Sequence, residues 1–208
     1  MTIVPTTREP VARNDGAVDK RQAMLRASTH MFAQKGYFNS QVADIARAAG
    51  VAAGTVYLYF RSKDELLTSI FERTMNEALV ESQEVLEKLS DPIAQLKALA
   101  HLHLDRLGRD RDLAVVFQVE LRQSTKFMER YSASQLRTYL GLLRDAIANA
   151  QTAGSFRTNV NPTIAAKALF GALDEMATNW ILSKRRYDLS AESDVVVDLF
   201  ANGLKANT

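Results

Sequence analysis

The 208-residue chain contains no cysteine. Neither a disulfide framework nor a thiolate metal site is open to it. Four prolines and nine glycines are little punctuation for this length, which favours long helices. No apolar run approaches the ~20 residues of a membrane span. The N-terminus is polar, with Arg8, Glu9, Arg13 and Asp15, and lacks the apolar core of a signal peptide. A cytoplasmic protein with no membrane partner is the expectation. A glycine-rich phosphate loop is missing as well. His101 and His103 stand two apart on a helical stretch, so they point to different sides and cannot form an i,i+4 metal pair. His30, on the first helical stretch, suits a structural role. We therefore expect no enzyme, no metal and no cofactor. Net charge is only +2, yet it is unevenly spread. Residues 1–63 hold 9 Lys+Arg against 4 Asp+Glu, and residues 64–208 hold 17 against 20. A basic N-terminal part on a mildly acidic body is consistent with a nucleic-acid-binding head.

The most informative stretch is Gln41 to Phe60. Val42, Ile45, Ala46 and Ala49 share one helix face by their spacing. Gly50 follows at a helix C-cap position, where a left-handed residue is needed. A second short helix from about Ala53 carries Val56 and Phe60 inward, leaving Gly54, Thr55, Tyr57 and Tyr59 outside. Two short amphipathic helices joined by a Gly-containing turn form a helix-turn-helix, whose second helix enters the DNA major groove. Thr and Tyr hydroxyls suit phosphate oxygens, and Gly54 permits close backbone approach. Arg61 and Lys63 add charge for phosphate. Ser62 and Glu65 read as a capping box that opens the next helix. Ser40 is expected to cap the helix at Gln41, and both belong to the expected DNA-facing set.

Gly50-Val-x-x-Gly-Thr-Val-Tyr-x-Tyr-Phe-x-Ser-Lys-Asp-Glu-Leu66 resembles the DNA-binding signature of TetR-family transcriptional regulators. The resemblance implies that Ala53, Gly54 and Thr55 begin the recognition helix and that Tyr57, Tyr59 and Lys63 match phosphate-contacting positions. One departure is visible: the family often has Ser before the recognition helix, and Ala52 stands here. The implied fold class is all-α. A three-helix helix-turn-helix domain (18–78, motif 41–60) follows an N-terminal arm (1–17), expected to be disordered. A larger helical domain for ligand binding and dimerisation covers 79–208.

Along the chain, a first helix is expected from Val18 to Lys35, with Met24, Leu25, Ala27, Met31 and Phe32 inside. Gly36 ends it, and Phe38 is expected to pack into the head. A stripe from Leu66 to Leu79 continues one helix from head to body. Asp91-Pro92 and Asn161-Pro162 each read as N-cap plus first-turn proline. The first of these helices is expected to end near Leu107, with a loop at Gly108. An apolar helix then covers Leu113–Leu121, and a long one ends at Gly154. The stretch Ala165–Leu173 is apolar around most of its circumference, and the last helix, from about Ser190, carries the run Val195–Val197. Such helices are buried on more than one side, which points to a homodimer through the two C-terminal helices.

For the body, Glu120, Arg122, Asp174 and Glu175 read either as an internal ion-pair network or as surface groups. The Lys184–Tyr187 cluster reads as a solvated helix end or as a binding patch. The stretches 113–124, 170–181 and 186–189 resemble the fatty-acid-degradation repressor branch of the same family. That resemblance implies repression of a palindromic double-stranded operator and release by a small apolar effector, a long-chain fatty acyl-CoA. It implies a tunnel for the acyl chain, with Phe117, Leu121, Leu143, Phe170, Leu173 and Trp180 as wall candidates. Arg122 and Arg185 are the candidates for CoA phosphates. The rival reading is an efflux-pump repressor that senses drugs or aromatic metabolites.

Overall fold

The computed structural model describes residues 15–123, 129 and 134–206. Most of the expected N-terminal arm, and Ser124, lie outside them. The chain is all-α. The head comprises α1 (Asp15–Lys35), α2 (Val42–Ala48), α3 (Ala53–Tyr59) and the first turns of α4 (Lys63–Leu86). The body holds the rest of α4, α5 (Pro92–Arg109), α6 (Arg111–Gln118), α7 (Gln135–Thr152), α8 (Pro162–Leu182) and α9 (Ser193–Leu204). Short 3-10 segments at Glu120–Gln123 and Leu189–Glu192 follow α6 and precede α9. Among the described residues no helix is long and apolar enough to cross a membrane.

Local chemistry explains the breaks. α2 ends in a Schellman motif: Val51 N–H donates to Ala46 O and Gly50 N–H to Arg47 O, with Gly50 at φ +69°. Ser62 Oγ accepts from Glu65 N–H, and the Glu65 carboxylate reaches Arg61 N–H at 2.6 Å, one residue earlier than in the usual capping box. Asp91 accepts from both Ile93 and Ala94 N–H, and Asn161 from Thr163 N–H, each beside its proline.

One apolar core runs from head to body. In the head it buries Met24, Phe32, Ile45, Val56, Phe60 and Leu66; in the body it continues through Leu96, Leu99, Leu104, Leu143 and Leu173. α4 threads both parts without interruption, so the expected boundary at residue 78 falls inside one helix. α1 also packs along α6, which ties the head directly to the body.

Several expectations are corrected. α1 starts at Asp15, three residues before Val18. Phe38 is not packed into the head: it is 66% exposed, its ring edge-on to Tyr37. Ser40 does not cap α2. Its hydroxyl donates back to the Met31 and Gly36 carbonyls, and Gln41 holds the N-cap position without a side-chain bond. Gly108 is helical rather than looped, and its missing side chain makes room for Leu189: a Cβ on Gly108 would lie 3.2 Å from the Leu189 Cβ. The Leu113–Leu121 helix breaks at Gln118 into the 3-10 turn, and Ser190 lies in the 3-10 turn before α9.

A Cβ on Gly50 would meet nothing within 4 Å, so only its backbone conformation resists substitution. Gly50→Ala should therefore lower unfolding stability by about 1–2 kcal/mol in denaturant titration.

Candidate functional site: a helix-turn-helix face and an apolar cavity

On the head, Val56 and Phe60 turn inward, and Arg21 stacks over the Phe60 ring at 5.2 Å. Ala53, Gly54 and Tyr57 face outward, as do Gln41 and Arg61. Thr55 and Tyr59 are half-buried, the latter packed on the core. Leu58, which the residue pattern did not single out, is 82% exposed on the same helix. Ala52 starts α3 with no side-chain bond, as its residue type requires.

Two expected DNA contacts are committed elsewhere. Ser40 is only 2% exposed. The Lys63 ammonium donates to the main-chain oxygens of Tyr37, Phe38 and Ser40 at 2.8, 3.2 and 3.0 Å. It also sits 4.5 Å from the centre of the Tyr37 ring. An ammonium has three protons, so its donor capacity is filled inside the protein. Lys63 thereby clamps the turn after α1. Tyr37 completes the clamp by donating its hydroxyl to Asp64 and its N–H to Glu120 Oε2 at 2.6 Å.

In the body, α4–α8 surround a cavity of about 300 Å³. α4 contributes Phe71 and Met75, α5 contributes His103 and Arg106, and α7 contributes Tyr139. Four residues expected from the sequence line it: Phe117, Leu121, Arg122 and Phe170. Four do not. Leu143 and Leu173 are fully buried in the core behind its walls. Trp180 packs elsewhere, its indole N–H donating to Tyr187 O and its ring under Arg111. Arg185 borders a separate surface groove with Arg186, Tyr187 and Glu192. The missed residues carried a weak signal: Phe71 and Met75 lie on a helical stripe that ordinary core packing explains equally well.

The cavity is mostly apolar, with one polar wall on α6 and α8. There Asp174 accepts from Gln118 Nε2 at 2.7 Å and from the Arg122 guanidinium, while the Thr178 hydroxyl lies 3.1 Å from Gln118 Oε1. Asp174 thus both lines the cavity and pairs internally, whereas Glu175 is exposed and bonds Asn179. At the rim, Arg106 is held by Glu77 and Glu81 at 3.2 and 2.5 Å. His103 lies between the Tyr139 and Phe170 rings, and its Nε2 has no hydrogen-bond partner among the described residues. Burial lowers its pKa to about 4 against the opposing pull of Asp174, so it is neutral at pH 7. Burial likewise pushes the Tyr139 phenol up. No cluster of three or more metal-ligating side chains occurs among the described residues. Such a cavity suits an elongated apolar group with a polar end near Arg122, which is half exposed at the opening.

Residues 24–70 match the bacterial regulatory proteins of the tetR family, and residues 71–203 match the C-terminal region of YsiA-like proteins. A fatty acid metabolism regulator protein of Bacillus subtilis is 32% identical over 185 residues, 89% of this chain and 95% of that protein. Among solved structures, the fatty acid degradation regulator FadR from Bacillus halodurans is similar with a TM-score of 0.82 at 34% identity, covering 88% of this chain and 99% of that one. FadR from Bacillus subtilis in complex with stearoyl-CoA is similar with a TM-score of 0.83 at 32% identity, covering 88% and 98%.

The depressed pKa of His103 has a defined consequence for stability. Protonation favours the unfolded chain, where the imidazole keeps its ordinary value of 6.5. The contribution is complete above pH 6.5 and is lost as pH falls from 6.5 towards 4. His103→Phe should flatten that part of the stability–pH curve by about 3 kcal/mol at 1.36 kcal/mol per pKa unit, as read by urea unfolding at successive pH values.

Proposed function

Because this chain belongs to the tetR family of bacterial regulatory proteins, we propose that it represses transcription from a palindromic operator and lets go when a long-chain fatty acyl-CoA fills its cavity. It is a regulator of fatty-acid metabolism and not an enzyme. The observation that carries the effector assignment is the apolar cavity enclosed by α4–α8, in a chain 88% of which is covered by its similarity to a regulator bound to stearoyl-CoA. At about 0.8 kcal/mol per buried CH₂, the acyl chain supplies the affinity. Arg122, which lines the cavity and is half exposed, would meet a phosphate or the thioester end. A sensor of drugs would need no site for such a charged head.

Two copies would pair through the outer faces of α8 and α9. There Ile164, Leu182, Val195 and Leu199 are exposed, while Ala168 and Ala172 permit close helix approach. A two-fold axis then presents the two α3 helices to successive major grooves, ~34–36 Å apart. Gln41, Ala53, Gly54, Thr55, Tyr57 and Arg61 form the proposed contact surface, with Leu58 available to thymine methyl groups. A regulator acting on DNA in this way works in the cytoplasm.

Titration of the palindromic DNA upstream of the gene, at fixed salt, tests the effector. Palmitoyl-CoA should release the DNA, and free CoA should not. DNA binding that ignores palmitoyl-CoA would overturn the acyl-CoA assignment. The same assay across salt concentrations tests the head. Arg61→Ala should reduce the salt slope by about one. Lys63→Ala should leave the slope unchanged and lower the melting temperature, because it removes three hydrogen bonds to main-chain carbonyls instead of a phosphate contact.

A further inference from the structure

Five consecutive residues, Gln118 to Arg122, face two ways. Gln118, Leu121 and Arg122 form one wall of the cavity. Glu120, between them, does not line it. Its carboxylate is only 5% exposed and turns to the head, where Oε2 accepts the Tyr37 N–H at 2.6 Å across 83 residues of sequence. Tyr37 is in turn bound to the start of α4: its carbonyl holds the Lys63 ammonium, its ring lies beneath that ammonium, and its hydroxyl donates to Asp64. The cavity wall and the turn that sets the helix-turn-helix are therefore one carboxylate apart.

Resting on the acyl-CoA reading above, we propose that the Glu120–Tyr37 bond is a latch that favours the DNA-binding arrangement, and that the effector opens it from the cavity side. The argument is steric and thermodynamic. At about 300 Å³ the cavity is at the lower limit for a drug-sized ligand. A long acyl chain has to press its walls outward, and close-packed interiors pass such displacement on. The part of the wall made of 3-10 turn, Glu120–Gln123, has poorer hydrogen-bond geometry than the flanking α-helices and yields first. A second link lies one helix away: Asp112, in the first turn of α6, accepts from Gln34 and lies 2.7 Å from His30 Nδ1, both on α1. It keeps α6 aligned on α1 while the 3-10 turn moves. Glu120 is thus a positioning residue, acting on DNA only through Tyr37.

A latch and a merely structural bond differ in sign. Cutting a bond that favours the DNA-binding arrangement releases that bias, so the effector binds more tightly. Cutting a bond that only supports the cavity weakens effector binding. The test is the palmitoyl-CoA affinity of the full-length protein without DNA, for wild type, Glu120→Ala and Glu120→Gln. Glu120→Ala should bind palmitoyl-CoA more tightly, on the order of tenfold, since the bond to a charged acceptor carries about that bias. Glu120→Gln, which keeps a neutral acceptor in place, should fall between wild type and Glu120→Ala. Unchanged or weaker binding by a folded Glu120→Ala protein, with wild type binding normally, overturns the latch alone. Failure of the wild type to bind palmitoyl-CoA overturns the acyl-CoA reading and the latch together. Hydrogen exchange on the wild type decides the matter if Glu120→Ala does not fold: the Tyr37 amide should lose protection on adding palmitoyl-CoA, and unchanged protection there overturns the latch.

Discussion

Three carbonyls of the turn after α1, those of Tyr37, Phe38 and Ser40, converge on the single ammonium of Lys63. A turn with no helical or strand ladder has to find partners for its carbonyls elsewhere. Lys63 meets that need from the first residue of α4 and so ties the turn after α1 to the start of α4. The helix-turn-helix depends on that tie, because α2 packs on α1 and α3 on α2. A residue whose charge invites assignment to DNA is thus the joint that holds the reading head to its support.

The same turn explains why the head is not an independent module. The N–H of Tyr37 goes to Glu120 of the body, and His30 and Gln34 on α1 meet Asp112 on α6. α4 passes through both parts, its inner residues serving the head core as Leu66 and Ile70 and the cavity as Phe71 and Met75. A ligand pressed between α4 and the segment after α6 pushes on both connections together. Signal transfer over this distance needs no long relay, only elements whose two faces serve two sites.

The cavity carries its own constraint. Asp174 is buried, and a buried carboxylate needs partners; Gln118 and Arg122 supply them across the interior. That pairing holds the 3-10 turn against α8 and keeps one wall polar in an otherwise apolar space. His103 stays neutral between two aromatic rings, so no net charge opposes the entry of an acyl chain there.

Much of this was legible in the sequence. Helix starts were marked by Asp91-Pro92, Asn161-Pro162 and Ser62, and ends by Gly36, Gly50 and Gly154, because caps and left-handed glycines act over one or two residues. The inward set Val42, Ile45, Val56 and Phe60 followed from helical spacing, and the Gly50–Leu66 signature identified the family. Local rules could not tell which polar groups would meet across the fold. Lys63 and Ser40 read as DNA contacts because both sit beside the motif, while their partners are carbonyls of α1 and the turn after it, 23 to 26 residues before Lys63 and 4 and 9 residues before Ser40. Leu143 and Leu173 could not be separated from Phe117 and Phe170 by pattern, since core and cavity wall present the same apolar spacing. Sequence alone determined the elements, the motif and the family. Tertiary structure alone decided which apolar residues face empty space and which charges are already paired, because both depend on what packs opposite.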